Sequence, residues 1–464
     1  MRAAAPGPTV DVVPDTVLWL RRDLRLHDHP ALQAAAAAAD GGRVLPLFVL
    51  DPRLWGPAGA PRRAWLVRSL AAFARSCDGA LVVREGDPAD VVPAVADELG
   101  ARSVHVSADA GPYGRERDQR TEGALAEAGR PLVRTGSPYV LGPGSVTKSD
   151  GPPYQVFTPF FRAWRDRGWP APAGPPPAGL RWARSVESQG LPDEPDLAGV
   201  ELPDVGEDAA RERWEAFLAD ALDDYGTDRD RPDLDGTSGL SAHLKYGEIH
   251  PRTLLADLGR RTGAGAETFR SELAWRDFYA DVLWHHPDSA RQYLRPEYAR
   301  MRFDEPAAAF EAWCEGRTGY PFVDAGMRQL RSIGWVHNRV RMVVASFLVK
   351  DLHVEWQYGA RHFMRWLRDG DLASNQHGWQ WAAGSGTDAA PYFRVFNPVA
   401  QGLKFDPDGA YVRRWVPELA HLPGAAAHQP WEHPDGYEHG YPQRVVDHAE
   451  ERREALARYQ DLRR

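Results

Sequence analysis

The stretch Thr16-Val17-Leu18-Trp19-Leu20-Arg21-Arg22-Asp23-Leu24-Arg25 decides the fold. Its first five residues form an apolar run of strand length, and the charges that follow end it before a helical pattern begins at Pro30. The same unit recurs. Strand-like runs stand at Val44–Leu50, 80–83, Ser103–Val106 and Leu132–Arg134, separated by helix-forming segments at Pro30–Ala39, 62–77, 89–99 and 115–128. Repeated β-α order predicts a parallel sheet with right-handed crossovers, so residues 15–145 are expected to form a Rossmann-like α/β domain. No G-x-G-x-x-G follows the first strand, and ordinary dinucleotide binding lacks its fingerprint there. The likeness to a dehydrogenase stops at topology.

Further along, residues 170–205 hold Pro170, Pro172, Pro175 to Pro177, Pro192, Pro195 and Pro203, which neither helix nor strand tolerates well. A long connector over 146–207 follows. Beyond it strand signals are scarce and helical ones frequent, at 211–222, 266–284, 325–351 and 358–367, so 208–464 reads as a mostly helical second domain. The 464 residues, 43% apolar and 26% charged, exceed what one core usually serves and suit two domains.

No apolar run reaches ten residues, short of the ~20 that cross a bilayer, which argues against a transmembrane protein. The N-terminus lacks a basic region followed by an apolar core, and Cys77 and Cys314 are the only cysteines, so a cytoplasmic protein without a disulfide framework is expected. Formal charge, 56 basic against 65 acidic residues, is −9; it gives no global signal for nucleic acid and does not forbid a locally basic groove. Of 17 tryptophans, eight lie between Trp275 and Trp381, a density that serves core packing, stacking or electron transfer equally well.

In Ser271-Glu-Leu-Ala-Trp-Arg-Asp-Phe-Tyr279, helical spacing puts Glu272, Trp275, Arg276 and Tyr279 on one face. The plain alternative is a surface ion pair of Glu272 with Arg276. Trp335, Asn338, Arg339 and Met342 repeat the spacing and predict a second helix presenting an indole, an amide, a guanidinium and a thioether. An amide that donates and accepts in one plane, beside an indole that stacks, suits an extruded base; a buried, satisfied Asn338 is the alternative. Asp369 and Asp371 with His377 lack the ligand count and spacing of a zinc or two-metal site, so no metal is expected. A carboxylate paired with Arg341, or accepting from a ribose or flavin ring N–H, suits them better. In Gly236-Thr-Ser-Gly-Leu-Ser241, hydroxyls and backbone N–H groups at a helix entrance could hold a phosphate, or Thr237 or Ser238 could simply cap the helix.

Taken in order, Gly236-Thr-Ser-Gly-Leu-Ser241, Glu272-Leu-Ala-Trp-Arg276, Gly319-Tyr-Pro, Asp324-Ala-Gly-Met-Arg-Gln-Leu330, Trp335-Val-His-Asn-Arg339, Asp369-Gly-Asp371, Asn375, Gly378-Trp-Gln-Trp381, Thr387-Asp and Phe396-Asn-Pro398 resemble the photolyase/cryptochrome family. Trp19-Leu-Arg-Arg-Asp-Leu-Arg25 and Val156-Phe-Thr-Pro-Phe160 extend the resemblance to nearly the whole chain, from about Thr16 to Tyr459. Within the family it is to the class I cyclobutane pyrimidine dimer photolyases.

The resemblance implies an α/β antenna domain joined to a helical domain that holds a bent, non-covalent FAD, active as FADH⁻. By position, Tyr225, Thr237, Ser238, Gly239, Leu240, Ser241, Arg341, Asp369, Asp371 and Asn375 would hold FAD, with Asn375 beside the flavin N5. Glu272, Trp275, Asn338, Arg339, Met342 and Trp381 would contact a flipped dimer, and Arg229, Arg394, Gln401 and Lys404 the backbone of UV-damaged DNA. Blue light would drive one electron from the flavin to the dimer, with Glu272 supporting the dimer's radical anion. Asn338 stands where 6-4 photolyases carry histidine, and Asn375 where plant cryptochromes tend to have Asp and animal ones Cys. Both favour repair of cyclobutane dimers, and no long signalling tail follows Arg464; a cryptochrome-type blue-light sensor, and a flavin redox enzyme without light dependence, are the alternatives.

Trp379 and Trp356 match the inner two members of the family's electron chain, while Phe303 stands where the outer tryptophan belongs. Either slow photoreduction of oxidised FAD or exit through Trp313, Tyr298 or another aromatic is expected instead. Asp109-Ala-Gly-Pro-Tyr-Gly-Arg115, Lys245 and Arg53 resemble an antenna site for 8-hydroxy-5-deazaflavin rather than methenyltetrahydrofolate, although Asp109 could be a turn residue and Lys245 a solvated charge. A monomer is expected.

Overall fold

The computed structural model describes residues 15–148, 151–387 and 393–462; Asp388, quoted above, lies outside them. Five parallel strands, β1 (Thr16–Leu20), β2 (Val44–Leu50), β3 (Val82–Glu85), β4 (Ser103–Val106) and β5 (Leu132–Arg134), lie in the order β3-β2-β1-β4-β5. Alternation across β1 explains its burial: Val17 and Trp19 join one core, Leu18 and Leu20 the other. Helices α1 (Pro30–Ala39) and α2 (Ala60–Ser76) cover the second core, α3 (Pro88–Leu99) and α4 (Pro112–Glu127) the first. Val17 registers with Leu45 on one side and Val104 on the other. The strand order therefore reverses at β1, and a crevice opens beyond the carboxyl ends there.

The third strand begins at Val82, not residue 80, because left-handed Asp78 and Gly79 turn the chain and Ala80 N–H still bonds back to the Cys77 carbonyl at 3.0 Å. Prolines at the first or second helical position start α2, α3 and α4 earlier than their apolar periodicity indicates.

The connector is tied to the sheet. Trp182 bridges Val44 in parallel, the Gln189 N–H bonds to the Val83 carbonyl at 2.9 Å, and Ala183 and Val186 are buried in the sheet's core. It also contains helix α5 (Phe157–Arg167), whose Trp164 Nε1–H donates to Asp277 at 3.0 Å.

Helices α6 (Glu207–Asp220), α7 (Ser241–Tyr246), α8 (Ala264–His285), α9 (Pro321–Ile333), α10 (Asn338–Lys350), α11 (Trp356–Trp366), α12 (Leu372–Ala383), α13 (Pro398–Phe405) and α14 (His448–Leu462) build most of the remainder. The span 325–351 is not one helix. Gly334, at φ +63°, ends α9, and His337 caps α10 by accepting from the Arg339 N–H at 3.2 Å. Trp335 thus lies in the break and does not share the α10 face with Asn338, Arg339 and Met342, a correction that periodicity alone could not supply. Trp313, Phe347, Trp356 and Phe363 are buried in the core joining α9 to α12. A Cβ on Gly359 would come within 2.1 Å of the Trp379 ring, so that glycine sets how closely α11 and α12 approach. Among the described residues no helix is long and apolar enough to cross a membrane.

Candidate active site

A cavity of about 490 Å³ opens among α7, α8, α10, α11 and α12. The α8 face expected from spacing turns into it: Glu272, Trp275, Arg276 and Tyr279 all line the wall. Trp275 lies flat on Phe157 of α5, with centroids 3.7 Å apart and planes 9° from parallel, which fixes the indole before anything stacks on it.

Glu272 pairs with Arg229 at 2.6 Å and not with Arg276. Arg276 is committed elsewhere, donating to the carbonyls of Pro138 at 2.6 Å and Leu244 at 3.0 Å. Burial raises the pKa of Glu272, with Arg229 opposing the rise. Arg229 lines the cavity as well, with its guanidinium on Glu272. At the lip, Arg339 grips Asp230 with contacts of 2.8 and 3.3 Å and lies over Phe405 of α13. Asn338 is exposed there, Met342 and Trp381 half-buried, and all line the wall. Lys404 and Arg394 are exposed and Gln401 half-buried on adjoining segments.

At the cavity floor Asp369 accepts from Arg341 at 2.8 Å with one oxygen, while its other oxygen, Oδ1, is buried without a partner. Asp371 caps α12, accepting from the Ser374 N–H at 3.1 Å, and receives Arg22 of the sheet domain at 2.7 Å. Burial alone would raise the Asp371 carboxyl, but Arg22, Lys245 and Arg276 hold it well below the usual carboxylate range. Asn375 donates to the Ala360 carbonyl at 3.2 Å, which fixes the amide at the wall. Gly378, in mid-helix, faces open space: a Cβ there would meet no protein atom within 4 Å. No metal-holding cluster occurs among the described residues.

Of the hydroxyl-rich loop only Ser241 lines the cavity. Arg213 holds the carbonyls of Ser238 at 2.9 Å and Thr237 at 3.1 Å, and Ser238 Oγ accepts from the Leu240 N–H at 3.4 Å, a local cap. Thr237, Ser238, Gly239 and Leu240 do not line the wall; nor does Tyr225, buried against Phe217 and Phe269. Sequence reasoning missed Phe363, Leu367 and Ser374, apolar or small wall residues with no chemical signal. Gly378 had one: a glycine inside a helix costs about 1 kcal/mol against alanine and calls for a reason.

A second cavity, about 280 Å³, lies at the carboxyl ends of the strands where their order reverses. Asp109 and Lys245 both line it, and Lys245 and Asp371 line the first cavity as well. Burial, then Arg22, lowers Lys245 to about 7; burial would raise Asp109, but Arg117, Arg21 and Arg22 bring it to about 2. Arg53 does not line this cavity: its guanidinium lies 4.6 Å over the Tyr113 ring and 3.8 Å from Glu116.

Beneath the first cavity, the Trp379 ring lies 5.0 Å from Phe363 and 6.0 Å from Trp313. Trp356 is fully buried, 6.2 Å from Tyr293, which in turn lies 6.4 Å from Phe303.

Two family models match, DNA photolyase over residues 16–178 and the FAD binding domain of DNA photolyase over residues 269–461. The chain is 43% identical to the deoxyribodipyrimidine photo-lyase of Streptomyces griseus, covering 94% of this chain and 97% of that one. Its structure is similar to a bacterial class III photolyase from Agrobacterium tumefaciens, with a TM-score of 0.91 and 36% identity over 99% of this chain and 100% of that one. A cryptochrome from Synechocystis also matches, with a TM-score of 0.87 and 28% identity over 97% of this chain and 100% of that one. With this sheet, this helical cavity and relatives of that identity over nearly its full length, the chain belongs to the DNA photolyase family.

Proposed function

We propose that the protein is a light-driven DNA repair enzyme that splits a cyclobutane pyrimidine dimer flipped from UV-damaged DNA into the larger cavity. One observation carries the reading: the lining of that cavity brings together the half-buried Glu272 carboxylate, a rigid indole and an Asp369 carboxylate oxygen that is buried without a partner. The residues present fit FAD. The volume of about 490 Å³ is that of a cofactor site, Gly378 leaves room where any side chain would intrude, and Asp369 Oδ1 awaits a donor. Reduced FAD, when bound, would supply a light-absorbing donor of one electron to the lesion.

The chain's own residues do the rest. Asp369, Asp371, Arg341, Asn375 and Ser241, all on the cavity wall, would hold the cofactor. Trp275 and Trp381 receive the faces of the extruded bases, and Asn338 and Met342 their edges. Glu272, whose protonated form burial favours, donates a hydrogen bond to a dimer carbonyl in that form, a bond that strengthens as negative charge builds there. Lys404, Arg394 and Gln401 meet phosphates outside, a local basic rim on a chain of net charge −9. Asn338 in place of a titratable histidine favours the cyclobutane lesion over the 6-4 lesion. The smaller cavity takes an antenna chromophore, for which we favour 8-hydroxy-5-deazaflavin over methenyltetrahydrofolate, on Asp109 and Lys245. The chain acts as a monomer in the cytoplasm.

Purified protein is expected to carry one FAD per chain and to bind a UV-irradiated oligonucleotide in preference to its undamaged copy. Equal affinity for the two would count against a lesion-binding cavity.

A further inference from the structure

Phenylalanine is far harder to oxidise than indole, so the Phe303 position breaks an aromatic route outward from Trp356. Trp356 is itself a poor place for a radical to settle. Its Nε1–H is buried with no protein acceptor in hydrogen-bond distance, so no neighbouring side chain or carbonyl stands ready to take the proton of an oxidised Trp356, which stays a strongly oxidising cation. Between Trp356 and Phe303 stands Tyr293, whose ring is 6.2 Å from the first and 6.4 Å from the second. Its hydroxyl donates to Glu355 Oε1 at 3.0 Å, and 7% of the residue reaches solvent. Burial and the Glu355 charge raise the phenol's pKa, so it rests protonated. A phenol loses an electron readily only if its proton leaves with it, and here the acceptor is already bonded. Of the candidates named from the sequence, Trp313 is wholly buried and its Nε1–H donates to the Val344 carbonyl at 3.1 Å, an oxygen that cannot keep a proton, while Tyr298 packs against Tyr459 with centroids 6.4 Å apart.

We propose that Tyr293 is the outer relay of this chain, giving one electron to oxidised Trp356 and its phenolic proton to Glu355. The step rests on the reading that Trp379 and Trp356 pass an electron to oxidised flavin in light. It balances: Trp356 radical cation returns to neutral indole, the Tyr293 O–H bond breaks to leave a neutral tyrosyl radical, and the Glu355 carboxylate becomes the acid. A thiolate from solution then gives one electron to the tyrosyl and becomes a thiyl radical, while the Glu355 proton returns to the phenolic oxygen.

Flash spectroscopy of the full chain loaded with oxidised FAD, without DNA, tests this. The wild type should show a tryptophan radical cation giving way to a neutral tyrosyl radical, in a phase slowed by D₂O. In Y293F the tyrosyl signal should be lost, and the yield of lasting flavin reduction with added thiol should fall to that of W356F. E355Q keeps the ring and should slow the tyrosyl phase while lengthening the tryptophan signal. Absence of a tyrosyl signal in the wild type, or a wild-type yield in Y293F, overturns the proposal; so does a yield lost only in W313F, which moves the exit to Trp313. A W356F protein that reduces flavin at the wild-type rate overturns the underlying tryptophan reading itself, and is told apart from the other failures by that variant alone.

Discussion

Glu272 and Lys245 are two cavity groups whose surroundings shift their titration. Replacing Glu272 with alanine removes one charge-assisted hydrogen bond, worth about 1.5–3 kcal/mol. Glu272→Ala should therefore keep FAD while repair per photon falls by roughly tenfold or more; unchanged repair would remove the carboxylate from the mechanism. Lys245 faces Arg22, Arg62, Asp109 and Asp371, and with the cavity open its pKa is lowered to about 7. An anionic chromophore in the smaller cavity favours the protonated ammonium, so binding takes up a proton wherever the free protein has lost it. Affinity for such a chromophore should fall as pH rises above about 7, and Lys245→Met should flatten the profile; a flat wild-type profile contradicts this role. Both residues were legible in the sequence, but their partners were not. Arg229 and Arg22 come from 43 and 223 residues away in the chain, and no local spacing announces them.

At the scale of elements, α12 carries most of the site: Asp371 caps it, Asn375 and Gly378 face the cavity, and Trp379 and Trp381 follow. Gly378→Leu should make a better helix and fill the space we assign to FAD, giving a folded protein, by circular dichroism and melting, that is purified colourless. Full FAD content in that variant would move the cofactor elsewhere. Gly359→Ala would drive a methyl into the Trp379 ring, so it should destabilise the fold by about 1–3 kcal/mol in denaturant titration. The α8 face was readable because its polar and aromatic residues recur at helical spacing. The α9–α10 break was not, since Gly334 and His337 end one helix and start another within a continuous apolar pattern. The connector's proline content gave its lack of regular structure but not its docking on β2, because a single backbone bridge leaves no periodicity.

Across the whole molecule, the two cavities share a wall built by both domains. Arg22, from the loop after β1, crosses to Asp371, which caps α12. Removing Arg22 takes one charge-assisted hydrogen bond from Asp371, which Lys245 and Arg276 still compensate, at a cost of about 1.5–3 kcal/mol. Arg22→Ala should lower stability near neutral pH by that order. Asp371 has a depressed carboxyl, so the stability it contributes is present above the unfolded value and lost as pH falls through the folded one; the gap between variant and wild type should close in acid. A constant gap would place the effect in packing instead. The parallel sheet and helical second half could be read from alternation and periodicity, whereas the meeting of the cavities is a property of the assembled fold.

The most direct test of the central claim is anaerobic repair of a defined thymine-dimer oligonucleotide by the reduced, FAD-loaded protein, in blue light and in darkness, beside a 6-4 lesion. Intact thymines should return only from the cyclobutane substrate and only in light. No repair by protein that binds reduced FAD would contradict the account and leave a light sensor in its place.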